Sequence, residues 1–380
     1  LNAPENSISV PLNADSLAGH AELWRERRRA RGFGAKGEKP VSINMLRSIS
    51  TAALAALAAI SIALPPAARA ASEHTSLAIP AYVVLFLAEY VAEDQHLYEQ
   101  QDLDVKVQFI AGVGAMNAVI AGSTDFSMSS GGSLTRAAAH GQNLLAIANM
   151  GNQNGQYIVL RKDEADAAHF DPKAPLAERA KILKGKTIGI DAMQSVVHSI
   201  VRVVAKVGGL DPESVTVTPM QPADTLSAFA RHAIDGFAAG PPWPQQVVTN
   251  GTAVIVADGA KGEPKEFSPI GSVMLVTRPQ FCTDHRSVCV KMGHVMKLAA
   301  DFIHDHPAES LAILKKRYDK VDEAVLRASY EAVREMTPQP PTPDAAELAN
   351  AESMNIAAGF MNPAQRLKSY APLFTQDFAR

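Results

Sequence analysis

Apolar and polar residues follow two rhythms along 77–277: short runs that are apolar or alternate, and longer stretches with apolar residues three and four apart. The first rhythm predicts strands and the second amphipathic helices. Strands are expected at 77–80, 105–109, 125–128, 144–150 and 157–160. Apolar positions 83, 86, 87, 90, 91, 97 and 98 predict a helix over 82–100. The charged, proline-broken stretch 163–184 reads as a boundary. A second unit follows: strand 184–190, helix 195–207 closed by Gly208-Gly209, strand 215–217, helix 222–230 with Asp224 in its first turn, and strand 235–240. Pro241-Pro242-Trp243-Pro244 opens another helix, where proline is tolerated. Strands return at 253–256 and 271–277. From 286 onward the pattern is helical only, at 291–304, 308–318, 322–335 and 344–360. Such helices must cover a sheet already built rather than extend it. The expected architecture is α/β, with two lobes and a helical C-terminal tail. Chain crossings near 157–161 and 270–277 would form a hinge around a cleft.

The stretch 111–141, AGVGAMNAVIAGSTDFSMSSGGSLTRAAAHG, is the densest in signals. Val113, Met116, Val119 and Ile120 share a helix face, and Gly122 stops that helix. Asp125-Phe126-Ser127-Met128 is a short strand. Ser129-Ser130-Gly131-Gly132-Ser133 then turns the chain into a helix over 134–139, closed by Gly141. A strand that ends in small residues and feeds a helix N-terminus is how open α/β sheets build ligand sites. The first amides of such a helix lack internal partners, and its dipole adds positive potential. Glycine lets a ligand approach the backbone closely. The expectation is a pocket for an anionic or polar group. An ordinary strand–helix turn with a serine N-cap is the alternative.

Composition bounds the class. The chain has 380 residues, 47% of them hydrophobic and 20% charged, which suffices for two domains and a sizeable core. A net charge of −3 gives no footprint for nucleic acid. Residues 1–44 are polar and aperiodic, with a basic run from Arg25 to Arg31, and read as an upstream segment outside the fold. Met45-Leu46-Arg47, the alanine-rich apolar run 49–64 and Ala68-Arg69-Ala70 match a secretion signal with an A-x-A cleavage site. Residues 45–70 are therefore expected to be removed near Ala70/Ala71, giving a periplasmic protein. Nine basic and five acidic residues fall within 1–70, so the remainder carries −7. Any anion site in it must be local.

Cys282 and Cys289 are the only cysteines. In an oxidising compartment they are expected to form a short disulfide loop. A zinc site using Cys282, His285, Cys289 and His294 is the rival, although its spacing is not that of a familiar finger. His304-Asp305-His306 reads as the C-terminal end of a helix before Pro307. There is no nucleophile elbow, no phosphate-binding G-x-x-x-x-G-K-[ST] loop and no HExxH. Gly112-Val113-Gly114 lacks the third glycine of a dinucleotide fingerprint. No catalytic residue, cofactor or metal is expected.

Three segments carry a family resemblance: Ala121-Gly122-Ser123-Thr124-Asp125-Phe126 followed by Gly131-Gly132 and His140-Gly141; Leu183-Lys184-Gly185-Lys186-Thr187-Ile188-Gly189; and Pro222-Ala223-Asp224-Thr225-Leu226 with Ile234-Asp235-Gly236-Phe237. In this order the chain resembles the type II solute-binding proteins of ABC importers, in the nitrate/sulfonate/taurine-like and thiamine-pyrimidine-precursor branch. The resemblance spans most of 77–370. It implies a periplasmic-binding-protein fold, with 71–160 plus 271–380 as lobe 1 and its tail, and 161–270 as lobe 2. It implies a cleft ringed by Ala81 and Tyr82, by Ser130, Gly131, Gly132 and Ser133, by Asn154, by Gln194, Ser195 and Val196, and by Trp243. Ser195 can cap a helix aimed into the same cleft. Tyr82, Tyr157 and Trp243 offer aromatic walls, and His198 is a further candidate contact. The implied function is capture of a small organic solute, anionic or polar and sulfonate-, taurine- or nitrate-like, by a monomer. Delivery is to an inner-membrane ABC permease with its ATPase. A pyrimidine or other aromatic heterocycle is the alternative solute. Relatives in pyrimidine-precursor synthesis share the fold but carry a cysteine-rich motif absent here. A ligand-sensing role at a membrane receptor is the remaining alternative.

Overall fold

The strand and helix pattern resolves into two five-stranded sheets. The computed structural model describes residues 72–380. The upstream segment 1–44, the export signal 45–70 and its cleavage point at Ala70/Ala71 lie outside the described residues. The strands are β1 (Glu73–Ile79), β2 (Leu103–Phe109), β3 (Phe126–Ser129), β4 (Leu145–Gly151), β5 (Tyr157–Arg161), β6 (Thr187–Ile190), β7 (Thr216–Pro219), β8 (Gly236–Ala239), β9 (Ala253–Asp258) and β10 (Val273–Thr277). The first sheet runs β2-β1-β3-β10-β4 and the second β7-β6-β8-β5-β9. In the first, β1 is parallel to β2 and β3, and β10 is antiparallel to β3 and β4. In the second, β6 is parallel to β7 and β8, and β5 is antiparallel to β8 and β9. Each sheet with its helices is called a lobe below.

The helices are α1 (Leu87–Asp94), α2 (Leu97–Gln100), α3 (Gly114–Ala121), α4 (Gly131–Ala139), α5 (Lys162–Ala167), α6 (Leu176–Arg179), α7 (Val196–Val207), α8 (Pro222–Ala230), α9 (Trp243–Thr249), α10 (Pro279–Asp284), α11 (Arg286–Asp305), α12 (Pro307–Arg317), α13 (Glu323–Met336) and α14 (Ala345–Ala358). The single helix expected over 82–100 is three pieces. A 3-10 turn at Val84–Phe86 leads into α1, and His96 at φ 54° breaks α1 from α2. A histidine in the left-handed region ends a helix as glycine does. Helix α4 begins at Gly131 rather than 134, because Ser130 caps it by accepting a hydrogen bond from the Ser133 amide.

The chain passes from the first sheet to the second between Gly151 and Tyr157, and returns between Asp258 and Val273. β5 is buried along its whole length and lies between β8 and β9. The change of sheet therefore comes before the boundary expected at 160, and the crossing expected at 157–161 is a central strand of the second sheet. A fully buried strand has no alternation to say which sheet owns it. The two crossing segments are bonded to each other: the Ile270 amide donates to the Asn152 carbonyl (2.9 Å), Ser272 to Gly151 (2.8 Å) and Gly259 to Gln156 (2.9 Å).

The tail behaves in two ways. Helices α11, α12 and α13 pack on lobe 1, with Met292, Met296, Leu314 and Tyr330 buried beside Leu77 and Tyr90. Helix α14 is not confined to that lobe. Gly131 of α4 leaves room for Leu348 and Ala351, and Asn355 Nδ2 donates to the Gly132 carbonyl (2.6 Å). Further along, Arg202 Nε and Lys206 Nζ of α7 donate to the Ala358 and Ala357 carbonyls (2.6 Å each). The helix thus straps both lobes.

Cys282 of α10 and Cys289 of α11 form a disulfide, seven residues apart and buried. Both cysteines are consumed, which removes two of the four ligands of the zinc alternative. Closing so short a loop removes little chain entropy, so Cys282→Ala/Cys289→Ala is expected to lower stability by roughly 2–3 kcal/mol in urea unfolding. An unchanged midpoint would show that the helix junction is held by packing alone.

Candidate functional site

Four strands of the two sheets end on one cleft. β1 delivers Pro80 and Ala81, β3 delivers Ser129 and Ser130, β6 delivers Asp191, and β8 delivers Ala239 and Gly240. Carboxyl ends of parallel strands are where open α/β sheets bind ligands. The cleft is narrow, with a cavity volume of about 70 Å³ that opens to solvent. Its walls are largely apolar, with Leu85, Phe86, Met116 and Met128 from lobe 1 and Val196 and Val197 from lobe 2.

Five serines line it, at 129, 130, 133, 195 and 272, and most are engaged. Ser130 Oγ caps α4. Ser195 Oγ accepts from the His198 amide (3.1 Å) and donates to Asp191 Oδ1 (2.5 Å). Ser129 Oγ lies 2.8 Å from Ser127 Oγ, and Ser272 Oγ donates to the Gly151 carbonyl (3.1 Å). Asp191 is the one ionisable side chain of the lining; no lysine, arginine or histidine is among the lining residues. Burial raises the Asp191 carboxyl above its usual range, against the hydrogen bonds from Ser195 and the Ala192 amide.

The sequence-predicted residues divide. Ala81, Ser130, Ser133, Ser195 and Val196 line the cleft. Tyr82 does not: it is 55% exposed and stacks on Phe109, with centroids 4.8 Å apart. Ala81 and Val83 flank it and point inward, so two-residue alternation turns Tyr82 out. Trp243 is also outside the lining. Its Nε1 donates to the Tyr82 carbonyl (3.1 Å) and its ring meets Tyr318 edge-on, so it links lobe 2 to lobe 1. Tyr157 is a buried strand residue of β5.

Gly131 and Gly132 serve packing rather than ligand approach. The Gly131 amide donates to the Gly271 carbonyl (2.8 Å), and a Cβ there would lie 3.0 Å from that oxygen. Asn154 is buried in the first crossing, where its Oδ1 accepts from the Gln156 amide (3.2 Å). Gln194 is exposed, at φ 59°, and its amide donates to His198 Nδ1 (3.0 Å). His198 is buried against Phe360 (4.8 Å), and burial holds its pKa down at about 4. Arg136 lies over the same Phe360 ring and outside the lining.

The opposed helix ends are therefore unequal. At α4 the first amide is spent on Gly271 and the third on Ser130. At α7 the Val196 and Val197 amides have no partner among the described residues, and both residues line the cleft. Sequence reasoning missed Asp191 and Gln156. The signal for Asp191 was its place directly after a strand and four residues before a serine cap; Gln156 had none.

The fold and cleft define a two-lobed periplasmic-binding-protein architecture. The sequence profile described as NMT1/THI5 like matches residues 85–310, and the chain belongs to that family. No curated protein matches the chain in sequence. Among solved structures, a protein of Bordetella bronchiseptica RB50 shares 21% identity at TM-score 0.68, covering 81% of this chain and 96% of that one. The alkanesulfonate-binding protein SsuA of Xanthomonas axonopodis pv. citri, bound to MOPS, shares 19% at TM-score 0.61, covering 80% and 98%. The periplasmic nitrate-binding protein NrtA of Synechocystis PCC 6803 shares 17% at TM-score 0.62, covering 77% and 83%. At these identities the likeness is one of fold.

Proposed function

We propose that this chain is an extracytoplasmic receptor that closes two lobes over a small organic solute and presents it to an ABC permease with its ATPase. The observation that supports this is the cleft lined from both lobes at the strand ends, with apolar walls and few polar groups. Its lining serines are caps or structural donors rather than activated nucleophiles, which suits binding without covalent chemistry. A solute drives closure only through contacts made in the closed form and not in the open one. The cleft favours a compact apolar body over a sulfonate- or nitrate-like ion, because it offers no cationic side chain. A pyrimidine or other heterocycle is the second reading, favoured by the same apolar walls. The A-x-A site supports export, with a mature N-terminus near Ala71.

The lobes meet at Gly112, where φ is 55° and an added Cβ would lie 2.7 Å from Ala192 Cβ. Gly112→Ala is expected to hold the rims apart and weaken solute binding about tenfold or more. The left-handed strain of about 1 kcal/mol is common to open and closed forms and cancels. Gly112→Ala/Ala192→Gly restores clearance and is expected to recover most of the affinity. In a thermal-shift panel of amines, alcohols, carboxylates, sulfonates, nitrate and pyrimidines, at least one class should stabilise the protein, by roughly 2.7 kcal/mol at a hundredfold excess over Kd. No stabiliser in any class would end the receptor reading.

A further inference from the structure

One acceptor in the cleft wall is buried without a protein donor, Gln156 Oε1, and beside it the half-buried Asp191 carboxylate has bonds only from its own amide, Ala192 and Ser195. Gln156 is 6% exposed, its main chain is engaged on both sides, and its Oε1 is buried without a partner. Asp191 Oδ1 accepts from the Ala192 amide (2.7 Å) and Ser195 Oγ (2.5 Å), but Oδ2 accepts from no other described residue. Asp191 joins no ion pair among the described residues. A buried polar atom left unpaired is unfavourable, and native proteins leave few of them. Asp191 also stands just before α7, where its charge offsets the positive potential of that helix N-terminus. An oxyanion entering the cleft would meet an unopposed carboxylate, whereas an N–H cation would complete it.

Resting on the receptor reading, we propose that the cleft selects a nitrogenous cation: a solute with a compact apolar body whose protonated amine or amidine bonds Asp191 Oδ2. Gln156 Oε1 takes a further donor from the same solute. The Phe86, Met116 and Met128 side receives the body.

The test is calorimetric titration of solute-free protein with benzylamine, benzyl alcohol and benzoate, which share a ring and differ in the head group. Benzylamine is expected to bind at least about tenfold more tightly than the other two. Asp191→Asn keeps Oδ1 as acceptor for Ala192 and Ser195 and is expected to abolish that preference while melting near the wild type. The wild-type ranking stands by itself if the variant does not fold. Benzoate binding as well as benzylamine, or a preference that survives in Asp191→Asn, overturns the inference and leaves the receptor reading intact. Where no probe binds, mass spectrometry of the solute released from natively expressed protein decides: a nitrogenous cation supports the inference, and an oxyanion or uncharged solute overturns it. No probe bound and no solute released overturns both readings.

Discussion

Gly236→Ala is expected to destabilise the protein by about 3 kcal/mol or more, read as a fall in the urea midpoint. Gly236 opens β8, the middle strand of the second sheet, paired with Ile188 on one side and Leu160 on the other. A Cβ added there would lie 2.2 Å from the Val159 carbonyl oxygen and 3.2 Å from Leu160 Cα. Both are main-chain atoms of an adjacent strand, so no rotamer change relieves the overlap. Either β5 and β8 separate and lose ladder bonds, or β8 slides and disturbs Ala239 and Gly240 at the cleft. A loss below about 1 kcal/mol would mean that the sheet yields without breaking its ladder.

The second large effect is a loss of stability with rising pH that traces to Glu89. This residue of α1 is 1% exposed and its Oε1 has no partner. Burial, with Glu93 adding repulsion and Arg317 opposing it, raises its pKa from 4.5 to about 8. The folded state thus holds a proton that the unfolded state releases. The stabilisation is fully present below pH 4.5 and is lost as pH rises through 8. The span corresponds to at most a few kcal/mol, on the order of 1.4 kcal/mol per unit of difference. Glu89→Gln is expected to flatten most of the decline in melting temperature between pH 5 and 9. Glu347, raised by burial to about 7, contributes a smaller decline of the same sign that remains in the variant. A wild-type profile flat over this range would show that Glu89 ionises freely in the folded protein.

Local chemistry was legible in the sequence wherever a residue answers to its neighbours along the chain. Ser195 caps the helix it was expected to cap, and helix α8 spans 222–230 as its proline and aspartate predicted. Gly122 closes α3 in the left-handed region. Legibility ended where partners come from afar. The glycine pair at 131–132 looked like room for a ligand and is room for α14, more than 200 residues on. Tyr82 and Trp243 stand beside cleft loops and face away from the cavity, one through alternation and the other by bonding across the lobes. Asp191 and Gln156 enter the cleft from separate segments, and neither lies in a motif. The electrostatic character of the site therefore became visible only when the strand ends were brought together. The sequence pattern suggested helix-start amides for an anionic or polar group, and the assembled wall carries a single carboxylate.

The bonded crossing segments have a mechanical consequence. Three main-chain hydrogen bonds join Gly151, Asn152 and Gln156 to Ser272, Ile270 and Gly259, so the connectors form a ribbon rather than two cords. A ribbon bends easily about one line and stiffly about every other. The lobes should open like the covers of a book, with torsion and sliding suppressed.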